Sequence, residues 1–161
     1  MNKFDYKVLR IALPLIVSNI TVPLVGFVDN MMMGYLGSTV FIGAIGIGTI
    51  IISYLIFTFG FIKSITTGFV SQSTGSRDYE SLFKSIYQLF FITIIISFFI
   101  LFFKEQIIHF SLNLVDGSRD VLFNSRIYLE IRIWSIPAIF IRDILIGYYI
   151  GSQKTLFAMA I

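Results

Sequence analysis

An acidic residue inside a long apolar segment is the first feature of this sequence that could do chemistry. Asp29 lies within the apolar stretch 8–36, with Asn30 beside it. A carboxylate is expensive in hydrocarbon, and the cost falls if it takes up a proton, pairs with a cation or faces a water-filled cavity. An acid whose protonation competes with the binding of an ion or a cargo molecule is a minimal coupling device. We therefore predict that Asp29 couples proton or cation movement to transport.

Polar residues upstream of Asp29 share its side of a helix. Ser18 and Asp29 are eleven residues apart, which places them within roughly 20° of each other at 3.6 residues per turn. Pro23 displaces the carbonyl of Asn19 from its helical donor and predicts a bend. A cavity lining or the bend itself is predicted for four residues: Ser18, Asn19, Pro23 and Asn30. Two alternatives stay open, a purely structural kink at Pro23 and solvation of Asp29 at the outer headgroups.

A second set of charges lies in the segment 126–150. Arg142 and Asp143 are adjacent and so point about 100° apart on a helix, which predicts partners on other helices rather than each other. We predict that both are intramembrane charge partners, and a structural role and a cavity-lining role are both open. Glu130 and Arg132 are predicted at the outer water boundary.

The composition argues against most soluble functions. Of the 161 residues, 57% are hydrophobic and 13% are charged, against roughly 45–50% and about 25% in soluble domains. Cysteine is absent and His109 is the single histidine, so neither thiol chemistry nor a metal cluster is expected. The net charge of +3 comes from scattered cations, which favours membrane loops over nucleic-acid binding. No motif of a nucleophile with its base or of a phosphate-binding loop is present, so we predict neither an enzyme nor a cofactor.

Four long apolar segments must position these residues, since about 20 apolar residues span a bilayer. They predict an all-α polytopic membrane bundle with transmembrane helices at 8–36, 40–74, 82–103 and 126–150. The start of a fifth helix is predicted at 155–161. A surface loop is predicted at 105–125, in which a short amphipathic turn or two precedes a turn at Asp116-Gly117. Within the second helix, Ala44 and Gly48 form a small-xxx-small pair that favours helix packing. Because the last apolar run is short, we expect residues 1–161 to be an incomplete N-terminal bundle of a truncated chain.

The cations near the helix ends predict the orientation of the chain. One side would hold seven: Lys3, Lys7, Arg10, Lys63, Arg77, Lys84 and Lys154. The other side would hold three: Lys104, Arg119 and Arg126. We therefore predict a multi-pass protein of the plasma (inner) membrane with a cytoplasmic N-terminus.

Three segments together resemble the multidrug and toxic compound extrusion (MATE) family, in the branch of DNA-damage-inducible protein F. They are IALPLIVSNITVPLVGFVDNMMMGYLG, FGFIKSITTGFVSQSTG and GYYIGSQKT. The resemblance covers nearly the whole chain and rests on the order and spacing of these motifs. It implies a twelve-helix transporter, of which this chain would be part of one six-helix half.

The resemblance also implies a function. Members of such a family would export organic, drug-like compounds in exchange for H⁺ or Na⁺, with Asp29 as the cation-coupling carboxylate. The implied partners are the lipid bilayer, a small organic cargo and the remaining helices of the full-length transporter, with no nucleic acid. Two alternatives stay open: a flippase of lipid-linked oligosaccharide or polysaccharide, which Arg132 and Arg142 would favour, and a small non-transporting membrane subunit that packs through its glycines.

Overall fold

The chain is all-α throughout the part that its structure describes. A computed structural model describes residues 38–159 and, before them, eight single positions: Ile16, Ile20, Leu24, Phe27, Val28, Met31, Met32 and Tyr35. No strand occurs among these residues. The helices are α1 (Thr39–Thr58), α2 (Phe61–Ser76), α3 (Tyr79–Phe102), α4 (Lys104–Asn113), α5 (Arg119–Arg132), α6 (Ile136–Gly151) and α7 (Thr155–Met159). A 3₁₀ turn, Ile133–Ser135, joins α5 to α6.

Three helical stretches are long and apolar enough to cross a membrane. They are Thr39–Ser76, Tyr79–Phe102 and Arg119–Gly151. In each of them no more than about a third of the most apolar window is buried inside the protein, as expected of helices that meet lipid. The predicted all-α membrane bundle is confirmed. The first predicted span, 8–36, lies outside the described residues apart from the single positions, all of which are exposed.

Two of the long stretches are interrupted where the residue types weaken an α-helix. Between α1 and α2 the chain forms a turn at Phe59 and Gly60, where a glycine adds backbone freedom. Between α5 and α6 the helix tightens to the 3₁₀ turn just before Pro137. A proline is tolerated in the first turn of a helix but removes one backbone donor, so α6 begins as a new helix there.

The segment predicted as a surface loop, 105–125, is mostly helical, so that prediction was wrong. It contains nearly all of α4 and the start of α5, and the connection shrinks to 114–118. The predicted Asp116-Gly117 turn falls in this short connection. Ser118 caps α5, since its hydroxyl accepts a hydrogen bond from the Val121 amide at 3.4 Å, which satisfies one of the unpaired donors at a helix start.

Two helices end at residues in the left-handed conformation. Arg77 follows α2 with φ 58°, and Gln153 follows α6 with φ 59°. The Arg77 amide donates to the carbonyl of Thr74 at 3.4 Å. Such a cap satisfies the last helical carbonyls but is usually formed by glycine.

The described contacts form two compact units. One unit contains 38–59 and Ile94–Ile139, and within it α1 runs parallel to α5. The Ser125 hydroxyl donates to the carbonyls of Ala44 at 3.1 Å and of Val121 at 2.8 Å. Gly48 lies against the Tyr128 ring. The predicted packing role of Ala44 and Gly48 is therefore confirmed.

The other unit contains Gly60–Thr93 and 140–159, and within it α2 runs parallel to α6. Here the small residues lie on α6. A Cβ added at Gly147 would stand 2.9 Å from the Lys63 carbonyl oxygen, and one added at Gly151 would stand 2.8 Å from that of Thr67. The two backbones therefore approach as closely as glycine permits.

Candidate functional site

A half-buried ion pair lies within α6. The Arg142 Nη2 atom donates to the Asp143 Oδ1 atom at 3.0 Å. The Asp143 residue is 7% exposed, while the Arg142 side chain keeps 39% of its surface exposed. The pair brings together two of the residues that the sequence singled out.

The burial of Asp143 follows from its position on the helix. Asp143, Gly147 and Gly151 follow one another at intervals of four residues, so they lie on one face of α6. The two glycines hold that face against α2. Asp143 therefore faces the packed side of its unit, one turn before the contact of Gly147 with the α2 backbone.

Among the residues that the structure describes, Arg142 and Asp143 pair with each other, whereas the sequence predicted partners on other helices. The prediction considered only the 100° between adjacent positions, and an arginine side chain is long enough to reach back to the next carboxylate. Pairing makes the segment neutral overall, which lowers the cost of two charges in a membrane-crossing helix. Removing one partner would leave the other charge uncompensated, which is the costly change at a buried pair.

One buried donor of Arg142 remains unused. Its Nε atom is buried and has no acceptor among the residues that the structure describes. A guanidinium has five N–H donors in a fixed planar fork, and the bond to Asp143 uses only one side of it. The Arg142 Nε–H could therefore donate one further hydrogen bond.

The hydroxyls of Thr66 and Thr67 on α2 find hydrogen-bond partners within their own helix. The Thr66 hydroxyl donates to the carbonyl of Ile62 at 2.7 Å, and the Thr67 hydroxyl donates to that of Lys63 at 2.9 Å. Such bonds to the preceding turn are the usual state of hydroxyls in membrane helices. These threonines are therefore packing residues, and Thr66 is fully buried against Gly147.

Two hydroxyls on α3 were missed by the sequence analysis. Thr93 and Ser97 are buried, 1% and 5% exposed, and neither hydroxyl has a hydrogen-bond partner in the described part of the chain. The available signal was their spacing of four within the run FFITIIISFFILFF, which places two polar groups on one face of an apolar helix.

An exposed charge cluster joins α4 to α5. Arg126 forms ion pairs of 2.9 Å with both Glu105 and Glu130. An open cavity of about 380 Å³ beside it is lined by Glu105, Gln106, His109 and Arg126. His109 is exposed and lies in α4, and its Nδ1 atom is 3.1 Å from the Asn113 amide nitrogen. Solvent screens such pairs, so they contribute little to stability.

The principal predicted site lies outside the described residues. This applies to Asp29 and to four further positions: Ser18, Asn19, Pro23 and Asn30. Their proposed roles stay predictions. Among the residues that are described, no three His, Cys, Asp or Glu side chains are grouped closely enough to hold a metal ion.

Comparison with known proteins identifies the family. The MatE family model matches residues 14–161. DNA damage-inducible protein F of Escherichia coli (strain K12) is 35% identical over 153 residues, which cover 95% of this chain and 33% of that protein. The chain thus spans a third of the length of this relative, and no solved structure matches it significantly. The chain belongs to the MatE family of membrane transporters, in the branch of DNA damage-inducible protein F.

Proposed function

We propose that this chain provides membrane helices of a secondary transporter that exports organic, drug-like compounds in exchange for H⁺ or Na⁺. The observation that carries the proposal is the family match over residues 14–161. The relative's name mentions DNA damage but no cargo, so the organic cargo rests on the resemblance of the sequence motifs. The described helices support a membrane location, because three stretches can cross a bilayer.

Asp29 is the coupling carboxylate in this proposal. It is the only charged residue between Arg10 and Lys63 in the sequence. Asp143, in contrast, already has a guanidinium at 3.0 Å. An acid without a cation nearby in sequence is the better candidate for exchanging a proton or binding Na⁺, because no fixed charge competes for it. Occupancy of Asp29 by the ion then alternates with cargo, and the predicted bend at Pro23 changes between the two states.

Replacement of the coupling acid tests the proposal. Asp29→Asn keeps the shape of the side chain but cannot release a proton or bind Na⁺ as a carboxylate. We expect it, in the full-length transporter, to abolish the efflux of a fluorescent organic cation from cells, with the protein still inserted in the membrane. Asp116→Asn is the matched control, because Asp116 is exposed in the connection 114–118. Undiminished efflux by the Asp29→Asn variant would refute the assignment.

The flippase alternative receives less support from the described residues. Cationic residues lining a cavity would favour it, with Arg132 and Arg142 as the candidates. Arg142 is paired with Asp143, and Arg132 is exposed and donates to the Ser135 hydroxyl at 3.3 Å. The remaining buried donor of Arg142 is the feature that would serve an anionic headgroup.

The alternative of a small packing subunit required a glycine strip open to a partner. In the structure, Gly48 is covered by Tyr128 of the same chain, and Ala44 is 2% exposed. The strip that the sequence analysis singled out is thus used inside the protein. The cytoplasmic N-terminus rests on the count of cations near helix ends. It belongs to the proposal, as does the inner-membrane location.

A further inference from the structure

The helix α4 exposes two chemically different faces. Ile108 is 1% exposed and packs against the protein. A second face carries exposed polar side chains, which lie within about 100° of one another around the helix: Glu105, Gln106, His109 and Asn113. A third face, including the residues just before and after the helix, carries exposed apolar side chains, which we call the apolar stripe: Phe103, Phe110 and Leu114.

The apolar stripe is continuous with the exposed apolar surface of α3. The Phe103 ring stacks on the Phe99 ring with centroids 6.3 Å apart, and it meets Phe102 edge-on at 5.0 Å. Phe99 and Phe102 are both exposed on a helix that can cross the membrane. Exposed phenylalanines on such a helix meet lipid. The same surface therefore extends along α4 to Phe110 and Leu114, which are 66% and 71% exposed.

The start of α4 carries side chains typical of the membrane–water boundary. The Lys104 ammonium lies 5.3 Å from the centroid of the Trp134 ring, and Trp134 is 61% exposed. Tryptophan is enriched at the level of lipid headgroups, and lysine extends its ammonium toward water there. On the polar face, the ion pairs of Arg126 with Glu105 and Glu130 provide a charged surface that hydrocarbon would not tolerate.

We propose that α4 lies at the membrane–water boundary, with its apolar stripe in contact with lipid and its polar face in contact with water. A helix wholly in hydrocarbon would expose Glu105 to lipid, and a helix wholly in water would expose the whole apolar stripe. Only the boundary suits both faces, as for amphipathic helices at membrane surfaces. The partner of this surface is the interfacial layer of the bilayer, and the proposal does not depend on transport.

The absence of cysteine from the 161-residue chain permits a direct test by site-directed spin labelling in liposomes. Single variants Phe110→Cys and Leu114→Cys report on the stripe, while Gln106→Cys and Asn113→Cys report on the polar face. Phe98→Cys on α3 and Asp116→Cys in the connection serve as references for lipid and water. We expect the stripe labels to collide several-fold more often with oxygen than with a water-soluble nickel chelate, and the polar-face labels to show the reverse.

Three results would overturn the proposal. Nickel accessibility of the stripe labels equal to that of the Asp116→Cys reference would place α4 in water. Oxygen-dominated collisions at positions 106 and 113 would place it inside the hydrocarbon. Low accessibility of the stripe labels to both reagents would show that protein covers the stripe.

A second measurement needs no substitution and so remains informative if a variant fails to fold. Trp134 is the single tryptophan of the chain. Its fluorescence should be quenched more strongly by lipids brominated near the headgroup than by lipids brominated near the chain end. Stronger quenching by the deep bromines would contradict the boundary position.

Discussion

The contact of α2 with α6 and the contact of α1 with α5 both use small residues, but different groups face those residues. At Gly147, the neighbours of an added Cβ are the Lys63 carbonyl oxygen at 2.9 Å and the Thr66 Cβ at 2.8 Å. At Gly48, the neighbours are atoms of one side-chain ring, that of Tyr128. Backbone atoms of α2 limit the space at Gly147, whereas a side chain of α5 limits the space at Gly48.

The difference predicts how each contact responds to change. A ring can rotate or shift to admit a methyl group, whereas a carbonyl oxygen moves only if its helix moves. In lipid, helices associate mainly through close packing rather than through the hydrophobic effect, so a forced separation loses much of the contact. The α2–α6 contact is therefore the more rigid one. It also packs the face of α6 that carries Asp143.

The largest effect is expected at Gly147. Gly147→Ala should lower the free energy of unfolding by about 2–3 kcal/mol, because overpacking against backbone costs up to this amount. Unfolding by SDS in mixed micelles, followed by circular dichroism, measures the change. Gly68→Ala is the matched control, since a Cβ at Gly68 has no neighbour within 4 Å and alanine gains about 1 kcal/mol in helix propensity. Equal losses for the two variants would contradict the close α2–α6 contact.

An intermediate effect is expected at the ion pair. Asp143→Ala should cost about 1–2 kcal/mol, less than a fully buried pair would lose, because the Arg142 side chain is 39% exposed and can turn toward solvent. The double variant Arg142→Gln/Asp143→Ala should recover part of the loss, and the single variant Arg142→Gln completes the set. The same SDS titration measures the coupling in a double-mutant cycle. Additive losses would show that Asp143 acts by packing alone. Glu130→Gln, at an exposed ion pair, is the control and should change little.

The smallest effect is expected at Gly48. Gly48→Ala should cost about 1 kcal/mol, since the Tyr128 ring can move, at the low end of overpacking losses. Adding Tyr128→Leu should relieve the clash, so the double variant should be more stable than the sum of the single losses predicts. Gly46→Ala is the control within the same helix, because its Cβ would have no neighbour within 4 Å. A loss at Gly48 as large as at Gly147 would remove the distinction between the two contacts.

The sequence predicted the fold class because span length and apolar content are global quantities. The runs around 40–74 and 82–103 exceed the length needed to cross hydrocarbon, and local sequence signals cannot change that. The prediction of a loop at 105–125 was wrong because a short helix at a membrane boundary has no such global signal. Its apolar residues are too few, and too interspersed with polar ones, to predict a membrane helix. Its helical character depends on tertiary packing of residues such as Ile108.

The candidate site was predicted less completely than the fold. Arg142 and Asp143 were singled out by residue type alone, because charges in an apolar span are costly. Their mutual pairing was missed, because it depends on the reach of a side chain and not on helical angles. The buried hydroxyls of Thr93 and Ser97, which have no hydrogen-bond partner among the described residues, were not predicted. Serine and threonine usually bond within their own helix, so their presence alone gave no signal. The role of Asp29 stays a prediction, since it lies outside the described residues.

Arg77 ends α2 in a left-handed conformation, φ 58°, that glycine would adopt without strain. The strain of an L-residue in this conformation is roughly 1–2 kcal/mol. Carrying its positive charge from the negative to the positive side of a membrane at 100 mV would require about 2.3 kcal/mol of electrical work. The electrical work exceeds the strain. The count of cations predicts Arg77 on the cytoplasmic side. On that prediction, a single arginine both ends the helix and opposes inversion of the chain, which a glycine in its place could not do.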